Sequence, residues 1–187
     1  DSLMTRSLGD ARFAQVLSLE ITVNSLADLP APVSSVITLS ADDMSYTFVP
    51  VVDIGANRIV ITGENNCLRG LNPLASGITS TNAGALITCT KALKIVDLII
   101  TGVGTHGLSC TDAGTQTLLL SQVAFIGFNL GFFVDSYKNV VLDTCSFLSC
   151  TDGIAFANTV TNGSIQLCTF DGVTGKLIDL DSCISSA

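Results

Sequence analysis

The chain has 187 residues, a length that suits one domain with a buried core. It carries 8 basic and 16 acidic residues, and its formal charge of −8 argues against nucleic acid or an anionic membrane as a partner, since both attract Lys- and Arg-rich surfaces. No apolar run reaches the roughly 18 residues that a membrane span needs. Only 13% of the residues are charged and 48% are hydrophobic, so we expect part of the surface to be buried in an oligomer.

Residues 1–45 are interpreted as an adapter and end cap. Asp1–Gln15 has a composition compatible with a helix, and Leu17–Val23 alternates apolar and polar residues as a strand does. The end of a repetitive β-structure exposes apolar core and unpaired backbone groups, so it needs a covering segment. We therefore predict a short helix-and-strand cap that also docks the protein to its partners.

Residues 46–187 are predicted to form the repetitive part of the chain. Tyr46–Val52 indicates a first strand, with Pro50 acceptable at an edge, and Arg58–Gly63 indicates a second. The next segment, Asn65–Asn82, is rich in Gly, Asn, Ser and Thr. We interpret it as a long loop or an irregular coil.

The second half of the chain aligns with itself at a spacing of about 23 residues. With h for an apolar residue, the pattern is h-x-h-x-x-h-x-h-x-x-h, a short turn, and Gly-h-x-h. The period within a coil is two, interrupted by two-residue steps, which predicts three short strands separated by bends. The apolar residues of the first matched coil are Leu93, Ile95, Leu98, Ile100, Val103, Leu108 and Cys110. Those of the last are Ile165, Cys168, Phe170, Val173 and Leu177, with Lys176 at the place of the glycine.

Strands that meet their equivalents one coil later form parallel sheets, with like side chains stacked about 4.8 Å apart. The sequence therefore predicts an all-β, right-handed parallel β-helix of about five or six coils. Phe125, Phe147 and Phe170 would stack in its interior. One corner of each coil needs close backbone approach and carries a glycine, at Gly107, Gly131 and Gly153.

The cysteines lack the spacing of a metal site. The single histidine, His106, cannot complete a Cys/His zinc set, and we expect neither a metal nor another cofactor. Cys67 and Cys183 lie outside the repeat. Four others occupy inward positions and are predicted to be small buried hydrophobes, although a bridge between two of them within one coil stays open: Cys110, Cys145, Cys150 and Cys168.

Carboxylates on the outer face are the groups that a polysaccharide-cleaving β-helix would need, roughly 5–9.5 Å apart. Asp97 and Asp143 lie at different places in equivalent bends two coils apart, hence about 9.6 Å from stacking alone. Asp171 is a third candidate. Aspartate is also a common turn residue that bonds local backbone amides, so we favour the structural interpretation of these residues.

Apolar residues also occupy outward positions of the repeat, where a monomer would place polar side chains. An apolar stripe along a solenoid needs a cover, and three protomers packed about a common axis would supply one. We therefore expect a homotrimer. The residues in question are Ile99, Leu119, Phe133, Val141, Ala155 and Ile178.

Three sequence segments resemble the β-helical spikes and fibre domains of tailed phages: NRIVITGENNCLRG, NVVLDTCSFLSCTDGIAF and GSIQLCTFDGV. Pectate-lyase-like enzymes have similar coils of the form NVxxxxCxFxxCxDGI. The N-terminal SLMTRSLGDARFAQ resembles linker helices of phage tail and virion proteins. The resemblance implies a trimer, and many members of the tailspike family cleave bacterial surface polysaccharide.

Together these features lead us to expect a structural, non-enzymatic part of a phage virion: a spike, a fibre segment or a capsid-decorating protein. It would dock to other virion proteins through residues 1–45 and contribute to attachment to a host surface glycan. One alternative is a polysaccharide hydrolase or lyase using Asp97, Asp143 and Asp171. Another is a carbohydrate-binding adhesin without turnover.

Overall fold

The computed structural model describes residues 19–183 and the side chains of residues 19–180. Its strands form three parallel sheets, named I, II and III in the order in which each coil passes through them. This is the parallel β-helix predicted from the repeat. The helix expected over Asp1–Gln15 lies outside the described residues. Within them, a single 3₁₀ turn spans Leu26–Asp28, and no helix is long and apolar enough to cross a membrane.

The strands of each sheet follow one another along the axis of the solenoid, each paired in parallel with its neighbours. Sheet I contains β1 (Leu19–Val23), β3 (Met44–Phe48), β6 (Asn66–Gly70), β9 (Leu93–Val96), β12 (Thr117–Ser121), β15 (Asn139–Asp143) and β18 (Asn162–Gln166). Sheet II contains β4 (Val51–Asp53), β7 (Gly77–Ser80), β10 (Ile99–Gly102), β13 (Ala124–Ile126), β16 (Ser146–Leu148) and β19 (Thr169–Asp171). Sheet III contains β2 (Val36–Leu39), β5 (Arg58–Ile61), β8 (Ala85–Cys89), β11 (His106–Thr111), β14 (Leu130–Asp135), β17 (Asp152–Asn158) and β20 (Ile178–Cys183).

The described residues make about 7 coils, roughly 23 residues apart, rather than the five or six expected. The first coil begins with β1 and β2, which pair with β3 and β5. The sheets therefore run across residue 45 without a break. The adapter role of residues 1–45 stays a prediction.

The interpretation of Asn65–Asn82 as a long loop is wrong, because this segment forms the strands β6 and β7. The alternative of an irregular coil fits better, since the coil that begins at Asn66 is longer than the later coils. Its composition is misleading because Asn66, only 1% exposed, faces inward as a polar residue. Its Oδ1 accepts a hydrogen bond from the Met44 N–H at 2.9 Å, and its Nδ2 donates to the carbonyls of Ala41 and Gly63 at 3.0 and 3.1 Å. A buried amide that is fully hydrogen-bonded costs little.

The core is a set of inward columns along the axis, as the repeat predicts. The Phe125 and Phe147 rings stack with centroids 5.3 Å apart, and those of Phe147 and Phe170 are 5.1 Å apart. Val103, predicted to face inward, is 70% exposed in the turn between β10 and β11, so that assignment is wrong. In the last described coil, Ile165, Cys168, Phe170 and Val173 are only partly buried. Leu177, also predicted to face inward, is 49% exposed, so that assignment is wrong.

Candidate functional site

The predicted carboxylates lie at three different places on the solenoid. Asp143 ends β15 and faces outward on sheet I, in register with Ser121 of the preceding coil. Asp97 lies in the bend after β9, with a left-handed φ of 56°. Asp171 ends β19 on sheet II, where it is in register with Leu148.

These positions do not bring the carboxylates into one cluster. In the part of the chain that the structure describes, no group of three or more His, Cys, Asp or Glu side chains is arranged so that it could hold a metal ion. Asp143 accepts a hydrogen bond from the Thr144 hydroxyl at 3.2 Å, and the Asp97 N–H donates to the Ser121 carbonyl at 3.0 Å. The first bond is between two side chains of one bend, and the second joins the backbones of two coils. The turn role expected of the two carboxylates, which is to bond local backbone amides, therefore also stays a prediction. An acid–base role for Asp97, Asp143 and Asp171 stays a prediction.

The outer face of sheet I carries a shallow groove with an apolar floor and polar edges. Leu119 and Val141 are neighbours in register at its centre. Lys94 lies in the same column as this pair, and Ser121, Asp143 and Gln166 lie in the column beside it, so the groove offers an apolar strip next to a polar one. A few polar groups beside an apolar surface are typical of ligand-binding sites. The lining residues are Lys94, Val96, Leu119, Ser121, Val141, Asp143 and Gln166.

A second groove, on the outer face of sheet II, is lined only by uncharged residues. It lies beside the loop between β6 and β7, from which the Leu74 side chain projects and is 87% exposed. An exposed apolar surface of this kind is typical of a site that contacts another molecule. Its lining residues are Pro73, Leu74, Ile99, Gln122, Val123, Ala124, Ile126, Thr144, Ser146 and Leu148.

The outward apolar residues do not form the single stripe that we predicted. Leu119 and Val141 lie on sheet I and Ile99 on sheet II, while Phe133 and Ala155 lie on sheet III. Ile178 pairs with the fully buried Ile154, just before an irregularity in the register of β17 and β20. It therefore occupies an inward position of its coil, and its assignment as an outward residue is wrong. The prediction of one stripe is wrong because the outward positions of a coil belong to three different sheets. The homotrimer itself stays a prediction.

The predicted burial of the inward cysteines is confirmed for Cys110, Cys145 and Cys150, while Cys168 in the last coil is partly exposed. All the cysteines whose side chains are described have free thiols, so Cys145 and Cys150 are not bridged. Cys67 faces outward on sheet I, in register with Ser45 and Lys94. Burial raises the pKa of the Cys145 thiol to about 12, so it is a neutral core residue at pH 7.

Two features of the surface and core were missed at the level of sequence. Leu74 lies in a polar segment, and the nearby Leu71 and Pro73 could have indicated that this loop has an apolar tip. Tyr137 is fully buried, and its hydroxyl donates to the Lys91 carbonyl at 3.0 Å.

His106 is half-buried against Phe133, with ring centroids 5.6 Å apart, and burial lowers the pKa of its imidazole.

Comparison of the chain with family models, with curated proteins and with solved structures found no match.

Proposed function

We propose that the chain is a structural, non-enzymatic component of a phage virion: a homotrimeric β-helical spike, a fibre segment or a capsid-decorating protein. Its role is geometric, as a stiff stalk that docks to other virion proteins through residues 1–45 and helps attachment to a host surface glycan. The observation that carries the proposal is the unbroken stack of about 7 coils. The segments that resemble phage spikes lie in this stack.

Stiffness follows from how each internal coil is held. Every strand between the first and last of a sheet has hydrogen-bonded neighbours on both sides. The Phe125, Phe147 and Phe170 stack continues the same column through three successive coils. Bending the rod would break backbone bonds and separate stacked rings together, so local opening is costly.

The uncharged groove on sheet II is the surface that we assign to self-association. With a formal charge of −8, two copies repel each other through most of their surfaces. A groove lined only by uncharged residues avoids this repulsion, and the projecting Leu74 supplies an apolar contact beside it. The groove on sheet I, by contrast, contains Lys94 and Asp143.

Light scattering after size exclusion tests the proposal. We expect a mass three times that of the 19.4 kDa chain. Leu74→Asp should lower the mass to that of a monomer, because it places a charge at the contact. Val103→Asp is the matched control, since Val103 is 70% exposed at another corner of the solenoid. A monomer in the unaltered protein, or equal effects of the two variants, contradicts the proposed assembly.

A second candidate function is binding or cleavage of a polysaccharide, and the groove on sheet I is the observation that favours it. Ser121, Asp143 and Gln166 form a row of hydrogen-bonding side chains along it, in register across successive coils. Such a row matches a ligand with regularly spaced hydroxyl groups. An adhesin would bind the glycan unchanged, while a hydrolase or lyase would shorten it.

A further inference from the structure

Cys145 and Cys168 are stacked in consecutive coils. Each lies directly before a strand of sheet II, and the following residues, Ser146 and Thr169, are in register. The Thr169 N–H donates to the Cys145 carbonyl at 2.9 Å, which holds the backbones of the two coils together at this point. Stacked residues of parallel strands are about 4.8 Å apart, which is within the Cα separations of about 4.4–6.8 Å that a disulfide spans.

The two thiols differ in their access to solvent. Cys145 is fully buried, and its Sγ lies 3.6 Å from the Asp143 carbonyl. Cys168 is partly exposed, and its Sγ lies 3.4 Å from the Gln166 carbonyl. An oxidant in solution therefore reaches Cys168 first, with Cys145 directly behind it.

We propose that Cys145 and Cys168 are a redox-controlled staple between the last two described coils. The thiols stay reduced in a reducing compartment and form a disulfide when the protein meets a low-molecular-weight disulfide. The Cys168 thiolate attacks one sulfur of that oxidant, forms a mixed disulfide and releases one thiol. Cys145, a neutral thiol in the closed core, loses its proton as it attacks the Cys168 sulfur, closes the protein disulfide and releases the second thiol, so two protein thiols are oxidised and one small disulfide is reduced.

Among the described strands, those of the coil that holds Cys168 pair only with the preceding coil. Linking Cys168 to Cys145 closes a loop that contains β16, β17 and β18. The link therefore restricts separation of these two neighbouring coils. The proposal holds for any function of the chain.

A second pair of stacked thiols provides an internal comparison. Cys89 and Cys110 are in register on neighbouring strands of sheet III, and they are 2% and 0% exposed. Neither thiol of this pair is open to a dissolved oxidant. We therefore expect this pair to stay reduced under conditions that close the staple.

The experiment uses the reduced 187-residue chain, treated with oxidised glutathione and digested for mass spectrometry. We expect peptides joined through Cys145 and Cys168, with the loss of two hydrogens, and full reversal by dithiothreitol. Hydrogen exchange of the β18 and β19 amides should slow by about tenfold or more on oxidation. Cys168→Ser should abolish both effects. Cys150→Ser, at the bend that follows Cys145 in its own coil, should leave both unchanged.

Three results would overturn the proposal. They are a bridge between Cys145 and Cys150, a stable glutathione adduct on Cys168 without closure, and closure that leaves the exchange of β18 and β19 unaltered. The mapping of the disulfide in the unaltered protein does not depend on whether any variant folds.

Discussion

A Cβ atom added to Gly131 would lie 2.5 Å from Cδ1 of Phe147, the stacked ring of the following coil. Gly153 has the same relationship to Phe170, where the distance is 2.6 Å. Real Cβ atoms do not approach a ring carbon so closely, so each glycine makes room for the phenylalanine one coil later. The glycine corner predicted from the repeat is thus a packing requirement between coils.

The chain itself contains the alternative solution. Leu86 of β8 occupies the position equivalent to Gly107 of β11, as the registers of their neighbours establish. In the coil that follows Leu86, the position of the stacked phenylalanine is taken by Ile100, which pairs with Phe125 of the next coil. A larger corner residue is therefore compatible with a smaller core residue in the next coil.

The first prediction concerns this contact. Gly131→Ala should destabilise the protein by about 1–3 kcal/mol, because the added methyl group overpacks the core against Phe147. Urea unfolding measures the loss. Gly163→Ala is the matched control, since a Cβ there would meet only Val160 Cγ1 at 4.0 Å. In the double variant with Phe147→Ile, part of the loss should be recovered, with a coupling of about 0.5–3 kcal/mol. Equal losses for the two alanine variants would show that the ring contact is unimportant.

A second prediction concerns the bend between sheets I and II. Thr144 is exposed there with a left-handed φ of 55°, which a β-branched residue adopts at a cost. Thr144→Asn should raise the free energy of unfolding by about 0.5–1 kcal/mol, because asparagine tolerates this conformation. Thr169→Asn, on the exposed face of β19, is the control and should give no gain. A stabilisation by Thr169→Asn that equals that of Thr144→Asn would rule out backbone strain as the cause.

Alkaline pH should destabilise the protein through its buried thiols and phenol. Burial raises the pKa of Cys145 from 9.0 to about 12, and it also raises those of Cys110 and Tyr137. Each group is protonated in both states below its unfolded pKa. Its stabilising effect is therefore complete below about pH 9 and is lost as pH rises toward the folded pKa. At pH 10 the loss should be about 1.4 kcal/mol for the Cys145 thiol.

Urea unfolding at pH 7 and pH 10 measures this dependence under reducing conditions. Cys145→Ala should reduce the loss of unfolding free energy between pH 7 and pH 10 by the contribution of one thiol. A variant of the outward-facing, partly exposed Cys67, Cys67→Ala, should change it less. Stability that is constant between the two pH values would contradict the burial of these groups.

The fourth prediction separates the structural proposal from the enzymatic alternative. A structural stalk should leave bacterial capsule or lipopolysaccharide glycan at its original length, as size-exclusion profiles would show. A hydrolase or lyase would shorten it, and Asp143→Asn or Asp97→Asn would then abolish the shortening. Asp53→Asn on β4 is the control carboxylate. Shortening that depends on Asp143 but not on Asp53 would replace the structural proposal.

The repeat was readable from the sequence because the coils from Leu93 onward have nearly equal lengths and large inward side chains. Upstream, the coil between Asn66 and Leu93 is longer, and Asn66 itself is a polar residue at a core position. The side-chain N–H groups of Asn66 donate to the carbonyls of Ala41 and Gly63. Ala41 is distant in sequence, and the identity of Gly63 gives no sign of this contact. Local composition could therefore not show that this coil contributes strands to sheets I and II.

The surfaces were less predictable than the core. Inward residues of all three sheets share one interior, so an apolar pattern suffices to place them there. Outward residues such as Leu119, Ile99 and Phe133 have equivalent sequence patterns but lie on sheets I, II and III. Which of them share a groove depends on the bends and on the loop that carries Leu74, information that spacing along the chain does not contain.

The contact between Gly131 and Phe147 recurs from coil to coil, so the length of the rod is set by the number of coils. It joins each coil only to the next, so the same matching rule holds for any number of coils. A tandem copy of residues 139–161 would place its own Phe147 against Gly153, where Phe170 now packs. The molecule could thus grow in steps of about 4.8 Å by duplication of a single coil, with no redesign of its interior.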